Sequence, residues 1–214
     1  MTDIRPKTAA RGRPRRTPSD TAQMRDRIKR AARDLFARDG YEGVSMRKLA
    51  AAAGCAPAAL YAYFPNKRAV LRVLWEDIFG ELGNELRQAI ATHHNPLAQL
   101  HTLMSTTIRF WLERPDDFRA IFLIQDEPQG PDGTYFADEA GAMSSLGLIR
   151  EVAGTAVDAG LFRINDPDRI TSICIASING TALNLITIPE YDWGETQTVI
   201  DDIASTIIDG LKSV

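Results

Sequence analysis

The chain has 214 residues, 44% of them hydrophobic and 25% charged, which is enough apolar material for a sizeable core in one large domain or two small ones. Its net charge of -3 conceals a division: residues 1–70 hold 16 Lys and Arg against 6 Asp and Glu, whereas residues 71–214 hold 9 against 22. An acidic surface is repelled by a phosphate backbone, so any nucleic-acid contact is confined to the N-terminal third.

The chain opens with a Pro- and Arg-rich arm, residues 1–16, in which Arg11-Gly12-Arg13-Pro14-Arg15 resembles an AT-hook core. Such an extended segment either lays Arg11, Arg13 and Arg15 along a narrow A·T-rich minor groove or acts as a flexible basic tail that strengthens non-specific attraction. Charge also stands where a secretory signal needs an apolar stretch, and no apolar run is expected to reach bilayer length, so the expectation is a cytoplasmic protein with no membrane partner.

Thr17-Pro18-Ser19-Asp20 has the form of a capping box and opens the first predicted helix. Met24, Ile28, Ala31, Ala32, Leu35 and Phe36 recur every three or four residues as one apolar stripe, Arg25, Lys29 and Arg33 take the other face, and Gly40 ends the helix. Ser45 is placed to cap a short helix from Met46 to Ala53, Gly54 allows a tight turn, and Pro57 starts a second short helix ending near Tyr63 or Phe64. Two short helices about a glycine turn are the helix-turn-helix pattern. Phe64-Pro65-Asn66-Lys67 then breaks and restarts the chain into a long helix reaching about Ala91.

Further along, Asn95-Pro96 starts and Arg114-Pro115 stops a helix, Asp116 or Asp117 begins another up to Gln125, and Asp126 to Thr134 reads as a loop rich in Pro, Gly and acids. Helices to about Ala159, from Pro167 to Thr187 and from Glu195 to Leu211 complete an all-α chain of roughly nine helices. The expected organisation is a basic arm (1–16), a helix-turn-helix domain of three helices (17–66) and a larger helical domain (67–214).

Other chemistries find little support. Cys55 and Cys174 lie far apart without CxxC spacing, which suggests two small apolar thiols rather than a disulfide or a zinc site. His93, His94 and His101 lack a carboxylate at metal-ligand spacing, and Asp116-Asp117, Asp126-Glu127 and Asp201-Asp202 read as helix-start or surface charges. With no phosphate-binding glycine loop or nucleophile elbow, neither an enzyme nor a metal or organic cofactor is expected.

Phe36, Gly40, the run Val44 to Ala50, Ala53-Gly54, the run Leu60 to Phe64, Lys67 and Leu71 together resemble the DNA-binding domain of the TetR family, over residues 24 to 71. Val44, Leu49, Leu60 and Phe64 are spaced to pack the short helices on the first helix. The resemblance implies DNA contact near Ser45, Arg47, Pro57, Ala58, Tyr61, Tyr63 and Lys67. Arg47 is suited to a guanine edge, Lys67 to a phosphate, and Tyr61 and Tyr63 either to phosphates and bases or to packing within the domain. One departure stands out: Ala56-Pro57-Ala58-Ala59 opens the presumed reading helix with almost no side-chain hydrogen bonds, which shifts readout to thymine methyl groups, Arg47, the tyrosines and DNA shape.

For the acidic remainder the resemblance implies an effector-binding and dimerisation domain. Met104, Phe110, Trp111, Phe118, Phe122 and Asn179 are candidates to line a pocket, or else plain core. Ile170, Ile173, Ile178, Thr181, Leu185, Ile200, Ile203, Ile207 and Leu211 are candidates for a four-helix dimer interface. The expectation is a ligand-responsive transcriptional regulator, a homodimeric repressor released from two-fold symmetric double-stranded DNA by a small molecule; the alternatives are an architectural DNA-binding protein and a helical enzyme with a DNA-binding domain.

Overall fold

A computed structural model describes residues 18–123 and 142–213. The arm with Arg11, Arg13 and Arg15, the Thr17 end of the capping box and the loop Asp126 to Thr134 lie outside the described residues. Within them the chain forms α1 (Pro18–Asp39), α2 (Met46–Ala52), α3 (Pro57–Tyr61), α4 (Lys67–Ile90), α5 (Pro96–Glu113), α6 (Pro115–Phe122), α7 (Ala142–Asp158), α8 (Pro167–Thr187) and α9 (Thr196–Leu211). No strand occurs among the described residues, and an antiparallel bridge between Phe162 and Lys212 ties the end of α9 to the turn after α7.

The helix boundaries follow local chemistry. Ser45 Oγ accepts from the Lys48 N–H at 3.2 Å, Asn66 Oδ1 from Ala69 at 2.8 Å and Asn95 Oδ1 from Leu97 at 2.8 Å, while the Glu195 carboxylate accepts from Thr198 at 2.6 Å. Each satisfies an amide that the first turn of a helix leaves without an internal partner. Gly40 and Gly54 stand at φ 68° and 65°, where a Cβ is strained, and so end α1 and turn the chain between α2 and α3. α3 is shorter than the sequence suggests, closing at Tyr61 with Ala62 as its cap.

α1, α2 and α3 close on a core of Ile28, Ala32, Leu35, Phe36, Val44, Leu49, Leu60 and Phe64, each no more than 5% exposed. The four packing residues read from the sequence are among them. This small head joins the rest through α1, which packs on both α4 and α6.

α5 is the spine of the larger part, with α4, α6, α7, α8 and α9 all packed against it. That surrounding explains why Ser105, Thr106 and Thr107 are buried beside Leu103, Met104 and Ile108; the Thr107 hydroxyl donates back to the Leu103 carbonyl at 2.7 Å and needs no outside partner. Phe79, Phe110, Phe118 and Phe122 meet Trp111 edge-on at centroid distances of 5.0–5.9 Å. α8 corrects one expectation: with a mean hydropathy of 1.4 over 18 residues it is long and apolar enough to cross a membrane by composition. It packs instead against α5, α7 and α9, as the core helix of a helical bundle does, and buries Cys174, whose thiol burial pushes up to about 11.

Candidate nucleic-acid interface

The core of the head leaves an outer rim on α2 and α3. Ser45, Arg47, Pro57 and Ala58 are exposed on it and Tyr61 is 53% exposed, so these predicted contact residues are all open to solvent. Tyr63 differs: it is half-buried and leans on the core, with the packing alternative read from the sequence realised for part of its ring. Ala56 caps α3 without a side-chain bond, in keeping with the apolar start of this helix.

Arg47 presents its guanidinium from an exposed position on the second residue of α2. Its neighbour Lys48 is engaged, with Nζ 2.7 Å from the Asp39 carboxylate and donating to the Gly43 carbonyl at 3.2 Å. Hydrogen bonds from Arg38 and Lys48 hold Asp39 well below the usual carboxylate range.

Lys67, read from the sequence as suited to a phosphate, is engaged within the head. Its Nζ donates to the Tyr41 carbonyl at 2.7 Å and stands 3.8 Å above the Tyr41 ring, and the side chain is only 20% exposed. The carbonyl and the π face lie within reach of the first turn of α4 and replace water around the ammonium, so Lys67 braces the loop between α1 and α2. Lys67→Met is expected to destabilise the fold by about 1–2 kcal/mol, read from the denaturant midpoint, the sum of a charge-assisted hydrogen bond and a cation–π contact discounted for partial exposure. An unchanged midpoint would show that the brace carries no stability.

Away from the head, Met104, Phe110, Trp111 and Phe118 are at most 1% exposed, and the three aromatics pack with one another, the core alternative of the sequence reading; Phe122 is 37% exposed and Asn179 half-buried. The dimer candidates divide. Ile170, Ile178, Ile200 and Leu211 are no more than 3% exposed and face the interior of the chain's own bundle. Ile173, Thr181, Leu185, Ile203 and Ile207 are half-buried. A helix apolar on all sides buries one face within its chain, and periodicity alone does not say which.

Sequence reasoning missed the link between the head and α6. Arg33 Nε of α1 approaches Asp117 Oδ1 of α6 to 3.0 Å without aligning as a hydrogen bond, at the edge of a cleft of about 650 Å³. Burial pushes the Asp117 carboxyl above the ordinary range, outweighing the opposite pull of Arg33. No sequence signal pairs two residues this far apart. A second cleft, lined by Arg25, Arg68 and Arg72, was also missed, although Arg68 and Arg72, four residues apart on one helix, announced a basic stripe.

Residues 28–74 match the family described as bacterial regulatory proteins, tetR family. An uncharacterized HTH-type transcriptional regulator of Mycobacterium tuberculosis is 33% identical over 90 residues, 42% of this chain and 45% of that protein. The HTH-type transcriptional repressor KstR2 of Mycolicibacterium smegmatis is 30% identical over 111 residues, 52% and 53% of the two chains. The chain thus spans about half the length of the curated relatives it matches. Its fold is that of the FadR transcriptional regulator from Bacillus subtilis, solved in complex with stearoyl-CoA, with a TM-score of 0.72 over 87% of this chain and 98% of that one at 17% identity. The head residues, the helical order that follows them and these likenesses agree: the head matches the tetR family of bacterial regulatory proteins, and the chain shares the fold of solved transcriptional regulators.

Proposed function

We propose that the protein is a homodimeric, cytoplasmic transcriptional repressor that grips a two-fold symmetric operator through its heads and releases it when a small molecule binds the larger helical part. The observation that carries this reading is the exposed rim of Arg47, Pro57, Ala58 and Tyr61, held in place by a buried core in the basic third of an otherwise acidic chain. α8 and α9 supply the partner face: Ile173, Ile203 and Ile207 are half-buried on it, and exposed Ala176 and half-buried Gly180 allow close helix approach. Effector binding acts by differential affinity for two arrangements of the heads, transmitted by the packing of α1 on α6 and α4. The likeness of fold to FadR, solved in complex with stearoyl-CoA, supports an effector that carries a long apolar chain.

Selection of bound sequences from random duplex DNA, with the stoichiometry of the complex, tests the proposal. A symmetric site bound by two protomers supports it; recovery of A·T-rich DNA without symmetry would favour an architectural protein instead. The arm is tested by removing residues 1–16, which takes away six Lys and Arg. Affinity and the steepness of its salt dependence are both expected to fall, and an unchanged salt slope would make the arm a bystander.

A further inference from the structure

We infer that Asp117 is a positioning residue through which the larger helical part sets the angle of the head, and that the joint it makes is proton-sensitive, α1 packing tightest on α6 when this carboxyl is neutral; the consequence for DNA rests on the DNA-binding proposal above. Asp117 is the one charged residue that is buried among the described residues, with its side chain 8% exposed, and it lies where α6 meets the first helix of the head. A carboxylate in such a place has lost its water and keeps its charge only where neighbouring groups replace that water.

Here the replacement is incomplete. Arg33 Nε of α1 stands 3.0 Å from Asp117 Oδ1, yet both atoms are buried without a hydrogen-bond partner, so the two attract as charges without an aligned bond. The surrounding charges do not make up the difference. Arg114, at the turn from α5 to α6, is shared with Glu81 of α4 at 3.9 Å and Glu113 of α5 at 3.6 Å. Asp116 of α6 repels Asp117, although Arg119 holds it at 3.0 Å. On α1, Arg38 is turned to Asp39, and Asp34 adds a further carboxylate to the cleft. Burial therefore outweighs Arg33 and holds the Asp117 carboxyl above the ordinary range, in keeping with this geometry. The adjoining cleft of about 650 Å³ gives a proton access from solvent without unfolding.

Four residues earlier on α1, Lys29 makes a contact of the opposite kind. Its Nζ donates to Asp77 of α4 at 2.7 Å, and Asp77 is 40% exposed, so this pair is both aligned and wet. One stretch of α1 is thus pinned to α4 by a hydrogen bond and held to α6 by an unaligned charge contact. Where α1 lifts from α6, Asp117 regains water and its ordinary acidity, so the packed arrangement binds the proton more tightly than the open one. Acid favours packing, and rising pH favours opening about the Lys29 contact. Movement of α1 carries the reading helices with it, because α2 packs on α1 and α3 on α2.

The test uses the full chain, with Asp117→Asn carrying the neutral form at every pH. As pH falls from neutrality toward the ordinary carboxylate value of 3.8, the wild type is expected to gain stability relative to Asp117→Asn, read as the difference between urea midpoints, because the folded chain takes up a proton that the unfolded chain accepts only at lower pH. A difference that stays constant over this interval overturns the inference. Arg33→Gln removes the opposing charge and is expected to move the step to higher pH, which a merely structural contact would not do; it also stands in should Asp117→Asn fail to fold, and a step left in place by it counts against the joint. On the selected duplex, the ratio of wild-type to Asp117→Asn affinity is expected to change severalfold with pH, by no more than about tenfold per unit for the one proton of each head, and to approach one in acid. If the wild type selects no duplex, the DNA-binding proposal fails while the urea midpoints still judge the joint. If the midpoint difference follows pH and the affinity ratio does not, Asp117 titrates without setting the head, and the positioning role is overturned.

Discussion

Replacing Trp111 with alanine is expected to cost about 3–5 kcal/mol, a large share of the roughly 5–15 kcal/mol that holds a typical protein folded. The ring is 1% exposed on α5 and makes edge contacts with Phe79 of α4, Phe110 of its own helix, and Phe118 and Phe122 of α6. Three helices therefore lose contacts at once, and neighbours already packed edge-on have little freedom to collapse into the space. The urea midpoint, with Trp111→Phe as a milder control, measures the effect. A loss below about 1 kcal/mol would show that this layer is loosely packed and able to close around a void.

Arg47→Ala is the counterpart on the surface. The side chain is exposed, so its removal is expected to leave the unfolding midpoint within about 0.5 kcal/mol of the wild type. Operator affinity should fall by about 1–3 kcal/mol for each half-site, roughly 5- to 150-fold, with relaxed preference at one base pair. Fluorescence anisotropy on the selected duplex and on single-base variants reads both quantities. A uniform loss across all sequences would mean that Arg47 contacts phosphate instead of a base.

Most of the helical order was legible because its punctuation is local. Ser45 caps the helix it was expected to cap, Asn66 and Asn95 cap helices where the sequence places their starts, and α8 starts at Pro167 and ends at Thr187 as its apolar spacing and flanking residues indicate. The head core was legible for the same reason: Leu49, Leu60 and Phe64 each have one apolar neighbourhood to enter. What periodicity leaves open is direction. Lys67 points to Tyr41 because a carbonyl from a distant turn happens to reach it, and Ile178 turns inward although Ile173, on the same helix, is half-buried. Trp111 and Phe118 read equally well as pocket or core until the helices that carry them are placed. Arg33 and Asp117, 84 positions apart, meet only through the tertiary packing of α1 on α6.

The packing of α5 against five other helices sets an order of opening within the molecule. Its amides sit behind five other helices and exchange with solvent only when the whole chain comes apart. The short helices α2 and α3 bury only Leu49, Ala50 and Leu60 and expose most of their other residues, so they open by local fraying at far lower cost. Under heat, proteolysis or storage the head is therefore expected to open first, while the interior of the bundle survives.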